Sequence, residues 1–313
     1  MRRLLLVTNP SAGGADEANV AAAVAVLRDA GTDVRVADGG DPEALGRVLG
    51  DRDGRTAVLA GGDGSLHLAV TVLRERGELS PDEPLGLLPL GTGNDLARTL
   101  GVPVDPIEAA RALLTARPRV LDLLVDDAGG VVVNAVHLGI GAEAAQRAGA
   151  WKQRLGKAAY TLGSAVAGLR EAGWVLRVEA DGEVIHDGSP VLMVGVANGR
   201  SIGGGALLAP EASPDDGWLD VVTATSTGPL ARLGFGVAMR GGAHLERDDV
   251  TTTRARSVSV TGEECPVNAD GELAGAVTSR TWTVAPAAWS LLVPSPTASG
   301  GSAGSTSPAA AAT

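Results

Sequence analysis

The stretch Ala57-Val58-Leu59-Ala60-Gly61-Gly62-Asp63-Gly64-Ser65 limits the possible folds more than any other part of the chain. Four apolar residues form a short strand that stops at three glycines around one aspartate. Glycine tolerates unusual φ values and has no side chain, so such a loop lets bare backbone approach a ligand. Leu66-His67-Leu68-Ala69-Val70 then reads as a helix, whose N-terminus offers unpaired N–H groups to an anion. Asp63 supplies a carboxylate where a phosphate-bound Mg²⁺ could sit, since that ion takes one or two carboxylates plus phosphate oxygens. The stretch reads as a nucleotide-phosphate cradle. In isolation it reads equally well as a tight turn between strand and helix.

The neighbouring sequence repeats this design. Residues 4–7 form an apolar run entering Asn9-Pro10-Ser11-Ala12-Gly13-Gly14, and residues 85–89 form another entering Leu90-Gly91-Thr92-Gly93-Asn94-Asp95. With a strand at 34–36 and helices predicted at 17–30, 42–49, 66–76 and 107–116, strands alternate with helices. That pattern specifies an α/β domain with a parallel sheet, and the glycine loops fall at the carboxyl ends of its strands. Past Pro118 the texture becomes short β-type runs at 120–125, 131–137, 174–180, 190–197, 219–224, 257–261, 279–284 and 289–293. One helical segment, 157–171, interrupts them. The expected division is an α/β nucleotide-binding domain over 1–117, an antiparallel β-sandwich-like domain over 118–294, and a disordered Ser/Ala/Gly/Thr/Pro tail over 295–313.

Composition narrows the function. The 313 residues are 44% hydrophobic but only 2% aromatic, so the core must be aliphatic. A net charge of −11 argues against sequence-independent nucleic-acid binding. The one cysteine, Cys265, excludes an intrachain disulfide and suits a reducing compartment. No apolar run reaches membrane-spanning length, and the run after Arg2-Arg3 ends too early for a signal peptide. The expected location is therefore cytoplasmic. No Gly-x-x-x-x-Gly-Lys motif occurs, and the only lysines are Lys152 and Lys157. A phosphate site must then use backbone N–H groups, hydroxyls, arginine and metal.

Asn9-Pro10-x-Ala12-Gly13, Gly61-Gly62-Asp63-Gly64-Ser65 and Pro89-Leu90-Gly91-Thr92-Gly93-Asn94-Asp95-Leu96-Ala97-Arg98 together resemble the nucleotide-site motifs of the diacylglycerol kinase catalytic-domain family. That family includes bacterial soluble lipid kinases and sphingosine kinases. The likeness continues in order through Asn134, Gly139-Ile140-Gly141, Leu155 to Tyr160, Asn198, Gly203-Gly204-Gly205, Pro210-Glu211-Ala212 and Asp215-Asp216-Gly217, ending at Asp270-Gly271-Glu272. It implies transfer of the ATP γ-phosphoryl to a lipid hydroxyl with Mg²⁺, in a cleft between the two domains. It implies an ATP site made from Asn9, Pro10, Ser11, Ala12 and Gly13, from Gly61, Gly62, Asp63, Gly64 and Ser65, and from Gly91, Thr92, Asn94 and Asp95. Within it, Asp63 belongs to the nucleotide–metal site. Glu272 takes the general-base position, with Asp270 beside it orienting metal or water; whether Asp63 or Glu272 is the base stays open. A second, structural Mg²⁺ would be held by Asp216 and the carbonyls of Ser213 and Trp218. The expected partner is a lipid at a membrane surface, met by peripheral association; a homodimer is left open.

Each of these pieces has a plainer reading. Asp-Gly between strands is a common hairpin turn, and Asp181-Gly182-Glu183 repeats the last motif without its context, so it is read as purely structural. Ser213 to Trp218 is a turn as easily as a metal loop. The histidines at 67, 137, 186 and 244 lack metal-ligand spacing, and His137 reads as a hydrogen-bonded core residue. Trp151-Lys152-Gln153-Arg154 with Lys157 is a basic, aromatic patch that could touch headgroups, or a solvated loop face. Ala37 stands where many relatives have threonine, so Asp38 could supply that nucleotide contact. The competing functions are a small-metabolite kinase of NAD-kinase or phosphofructokinase type, a kinase of sphingoid or other lipids, and a nucleotide-binding regulator without turnover.

Overall fold

A computed structural model describes residues 2–9, 14–139, 173–225 and 228–295, with the backbone alone at 14–16 and 229–233. The helix expected at 157–171, the basic patch at 151–157, the segments at 140–141 and 155–160, Pro10 to Gly13 and the tail beyond 295 all lie outside the described residues.

The first sheet has four parallel strands: β1 (Arg3–Thr8), β2 (Asp33–Asp38), β3 (Thr56–Gly61) and β4 (Gly86–Pro89), in the order β2-β1-β3-β4. Helices α1 (Gly14–Asp29), α2 (Pro42–Gly50), α3 (Asp63–Glu75), α4 (Asp95–Thr99) and α5 (Pro106–Thr115) connect or follow these strands. The apolar runs predicted for the strands are the buried ones, Leu4 to Val7 and Ala57 to Ala60. Helix starts follow local chemistry, since Asp41 and Asp105 cap α2 and α5 through side-chain bonds to Ala44 N and to Ile107 N and Glu108 N. The strand order reverses between β1 and β3, the crevice where open α/β sheets bind ligands.

The second half is antiparallel, as expected. Its large sheet runs β14-β13-β10-β7-β15-β16-β5-β6, with β8 and β9 attached through β15. These strands are β5 (Arg117–Asp126), β6 (Val131–Val132), β7 (Ala135–Gly139), β8 (Trp174–Ala180), β9 (Glu183–Val191), β10 (Met193–Ala197), β13 (Leu219–Ala224), β14 (Val250–Ala255), β15 (Ser257–Ala269) and β16 (Glu272–Val293). A small ribbon, β11 (Ser201–Ile202) with β12 (Ala206–Leu207), stands apart. The two runs expected at 279–284 and 289–293 are one strand, bent at a register shift where Ala287 adopts φ +52°. A helix that the apolar pattern did not single out is present, α6 (Pro229–Gly241). Its glycines at 234 and 236 disguise a segment started by Pro229 and closed by Gly242 in the left-handed region.

The halves share more than a linker. Leu85 N donates to Ser290 O and Leu292 N donates to Leu85 O, so β16 continues the edge of the first sheet. Leu121, Leu123, Trp289 and Leu291 pack into the same core as Leu5, Leu59, Leu66 and Leu87.

His137 departs from expectation in one respect. It is buried between β10 and β15, but its Nδ1 has no hydrogen-bond partner within the described residues, and burial drives its pKa down to about 4. The folded protein keeps it neutral while the unfolded chain titrates near 6.5, so unfolding takes up a proton below that pH. Stability from this group is complete above the unfolded value and is lost as pH falls from 6.5 towards 4. Urea denaturation at about pH 7 and about pH 4.5 should find wild type losing roughly 2–3 kcal/mol more than His137→Leu. Equal losses in the two proteins would remove His137 from the acid sensitivity.

Candidate functional site

The loops after β3 and β4 meet in the backbone itself. A Cβ on Gly91 would lie 2.5 Å from Gly62 Cα, and one on Gly62 would lie 2.8 Å from Gly91 Cα. Glycine is required at both places for packing, not only for ligand approach. Asn94, the left-handed residue before α4, fastens the crossing by donating from Nδ2 to Gly91 O at 2.7 Å. Its buried Oδ1 has no partner within the described residues. At the head of α3, Gly62 provides no side-chain cap, so no capping side chain competes with an anion for the N–H groups that precede Ser65. Gly61 packs against Ser65 Oγ, Thr92 is exposed on the loop, and Asn9 is exposed just past β1. Asp38 is also exposed and accepts from Gly40 N at 2.9 Å, which makes it a turn residue in this structure.

Asp63 and Asp95 form an acidic pair around Gly93. A Cβ there would sit 2.9 Å from Asp63 Oδ2 and 3.3 Å from Asp95 Oδ2. Asp63 accepts from Asp95 N at 3.0 Å and Leu96 N at 3.2 Å, one bond to each oxygen, so each keeps a lone pair. Burial holds its carboxyl above the usual range against these two bonds, and the charges of Asp95 and Asp270 push it further up. Asp95 is more committed, accepting from Ser201 Oγ, Gly204 N and Gly205 N, each at 2.8 Å. The three glycines at 203–205, all with positive φ, wrap the second half around this carboxylate. Among the described residues no three His, Cys, Asp or Glu side chains gather for a metal. Mg²⁺ does not require three, and a partly free carboxylate inside a cluster of like charge fits a hard cation whose other ligands are phosphate and water.

The acidic turn of the second half reaches the same place. A Cβ on Gly64, in the first turn of α3, would lie 3.2 Å from Glu272 Oε1. The carboxylate is exposed beside a helix N-terminus, though Asp63 and Glu272 are 209 positions apart in the chain. Asp270 holds this arrangement. It sits in the left-handed region at φ +50° with its side chain fully buried, and accepts from Val133 N and Asn134 N at 2.8 Å and from Ala135 N at 3.1 Å. Its fourth partner is His67 Nδ1, 2.8 Å away on α3. With all four acceptor positions filled by protein, Asp270 is an anchor for the turn and has none left for a metal, contrary to the role the resemblance suggested. His67 was missed as a site residue because its spacing to other histidines carries no signal; its position four residues after Asp63 was the available clue. Burial alone would lower its pKa, but the bond to Asp270 and the charges of Asp270 and Glu272 prevail and hold it above 6.5.

Glu272 and His67 line a cavity of about 430 Å³ whose other walls include Val131, Val136, Val277 and Trp282. Arg280, also on its lining, pairs with Asp126 at 3.3 Å.

The loop at 213–218 lies elsewhere and is neutralised by arginine. Asp215 pairs with Arg119 at 2.7 Å. Asp216 accepts from Trp218 N at 3.0 Å through one oxygen and pairs with Arg254 through the other. The Arg254 and Arg256 guanidinium groups stand 5.7 and 4.8 Å from the Trp218 ring centroid. Of the donors that the resemblance assigned to a structural Mg²⁺, at Ser213, Asp216 and Trp218, the Asp216 carboxylate is paired in this structure with the half-exposed Arg254 guanidinium.

An α/β unit with paired glycine loops, closed by an acidic turn from an antiparallel sheet, defines a phosphotransferase-type architecture, and comparison with known proteins agrees. Residues 3–125 match the model for the diacylglycerol kinase catalytic domain, and residues 134–293 match that for the YegS C-terminal NAD kinase beta sandwich-like domain. A protein named diacylglycerol kinase from Mycobacterium tuberculosis is 33% identical over 309 residues, covering 93% of this chain and 95% of its own. One from Pseudomonas aeruginosa, named "Probable lipid kinase YegS-like", is 34% identical over 279 residues, covering 86% and 87%. The crystal structure of a diacylglycerol kinase from Bacillus anthracis superposes with a TM-score of 0.71 at 23% identity, covering 93% and 97%, a likeness of fold. The chain belongs to the diacylglycerol kinase catalytic-domain family.

The two Asp-Gly-Glu turns offer a matched test. Asp181 also has φ +50°, but its carboxylate accepts from Arg256 N and Ser257 N at an exposed strand end. Asp270→Ala strands three buried N–H groups and should cost about 3 kcal/mol or more in chemical denaturation. Asp181→Ala should cost under about 1 kcal/mol. Similar losses would mean that Asp270 is no more than a hairpin residue.

Proposed function

We propose that this protein is an ATP-dependent lipid kinase that transfers the γ-phosphoryl group to the hydroxyl of diacylglycerol. The observation that carries the reading is the approach of the exposed Glu272 carboxylate to the first turn of α3, beside Asp63. Phosphoryl transfer requires that phosphates be positioned and neutralised and that one group receive the nucleophile's proton. The uncapped start of α3 and the backbone around Gly61, Gly62, Gly91 and Thr92 receive the nucleotide phosphates. Asp63, backed by Asp95, would hold a divalent cation, which when bound offsets charge on those phosphates. Glu272 accepts the hydroxyl proton, and Asp270 keeps the turn that carries it in place. The apolar walls of the adjoining cavity suit an amphiphilic alcohol better than a sugar phosphate or a dinucleotide, which is what favours a lipid over a soluble metabolite. Such an acceptor is collected by docking at a membrane surface.

The test is transfer of ³²P from labelled ATP to a panel of lipids in mixed micelles. Diacylglycerol should yield labelled phosphatidic acid, with Glu272→Ala and Asp63→Asn each slower by at least about 100-fold. Label on another lipid would correct the acceptor. Labelled NAD or sugar phosphate with no labelled lipid would replace this reading by the metabolite-kinase one.

A further inference from the structure

His67 has no part in the reading above, yet its placement is that of a proton-handling group. Its Nδ1 faces Asp270, whose other acceptor positions are all filled by backbone N–H groups. Three backbone N–H donors aimed at the carboxylate match its acceptor-only, ionised form, so the hydrogen in the His67–Asp270 bond belongs to Nδ1. The neutral imidazole is thereby fixed in the tautomer whose free lone pair is on Nε2. The ring is held from a rigid helix, its side chain is 23% exposed, and it shares the 430 Å³ cavity with Glu272. Asp270 and Glu272 face it from the β15–β16 turn, Asp63 stands one turn back on α3 with Asp95 of α4 behind it, and Asp126 and Arg280 lie on the cavity lining.

We propose that His67 is the relay partner of Glu272. The inference rests on the lipid-kinase reading. As the acceptor oxygen bonds to the γ-phosphorus, the bond from phosphorus to the β–γ bridging oxygen breaks and its electron pair leaves with ADP. Glu272 takes the hydroxyl proton and passes it to Nε2 of His67, while the Nδ1 hydrogen stays on Nδ1 and remains donated to Asp270. The resulting imidazolium lies between two carboxylates, and it returns the proton to solvent after the products leave. The bond to Asp270 and the charges of Asp270 and Glu272 raise its basicity against the effect of burial, which suits His67 to receive a proton.

The experiment compares pH–rate profiles for lipid phosphorylation in wild type, His67→Asn and His67→Ala, and follows the His67 ring protons by NMR. Asparagine places an amide where Nδ1 was and keeps the bond to Asp270, but cannot titrate. Wild-type rates should rise through an apparent pKa above about 6.5 that matches the NMR titration. His67→Asn should lose that limb and fall about 10- to 100-fold, and added imidazole should restore part of the rate of His67→Ala. An acid limb that survives unchanged in His67→Asn, with a rate loss equal at every pH, would overturn the relay and leave His67 a structural strut. Failure of wild type to label any lipid is a different result: it defeats the lipid-kinase reading and the relay together.

Discussion

One buried carboxylate holds the cleft together. Asp270 gathers three backbone N–H groups from the β6–β7 link and the first residue of β7, and one imidazole from α3, so its bonds cross from one half of the molecule to the other. An ionised group out of water is tolerable only when its acceptor positions are filled. Here, filling them requires that the two halves meet in a single register. The exposed carboxylate two residues later inherits that precision, and so does the first turn of α3 beneath it. Asp95 repeats the device on the other side, with Ser201 and the 203–205 loop closing over it. Two aspartates, one from each half, thus each bond across the cleft, Asp95 to Ser201 and backbone N–H groups of the second half and Asp270 to the His67 imidazole of the first.

Much of this was readable from the sequence, and the limits have physical causes. The parallel sheet was legible because buried parallel strands are continuous apolar runs and the loops after them carry glycine and asparagine. The antiparallel half was legible in class but not in detail. The β15–β16 ribbon crosses register shifts that break period-two alternation, and Pro266 and Pro286 lie within strands where proline argues against one. The helix at Pro229–Gly241 was hidden by glycines, whose helical cost is offset by packing of Phe235 and Met239.

The site divides along the same line. Asp63, Asp95 and Glu272 could be named because their motifs are contiguous. The partner of Asp270 could not, because the bond to His67 spans 203 residues and no local pattern encodes it. Asp181-Gly182-Glu183 has the letters and the backbone angle of the acidic turn; only what lies across from it differs. The arginines that neutralise Asp215 and Asp216 are likewise remote in sequence, and this is why a metal loop could be read there.

The path of β16 bears on how such a protein can change over evolutionary time. The strand begins at Glu272 in the cleft and ends at Leu291 and Val293, packed against the core of the glycine-loop sheet. The end of this strand is therefore part of the first domain's interior, and the first domain is not a module that could be cut out at its boundary and joined to a new partner. A lineage seeking a different acceptor would have to remodel the cavity walls in place, residue by residue, with the nucleotide half and the acceptor half inherited as one piece.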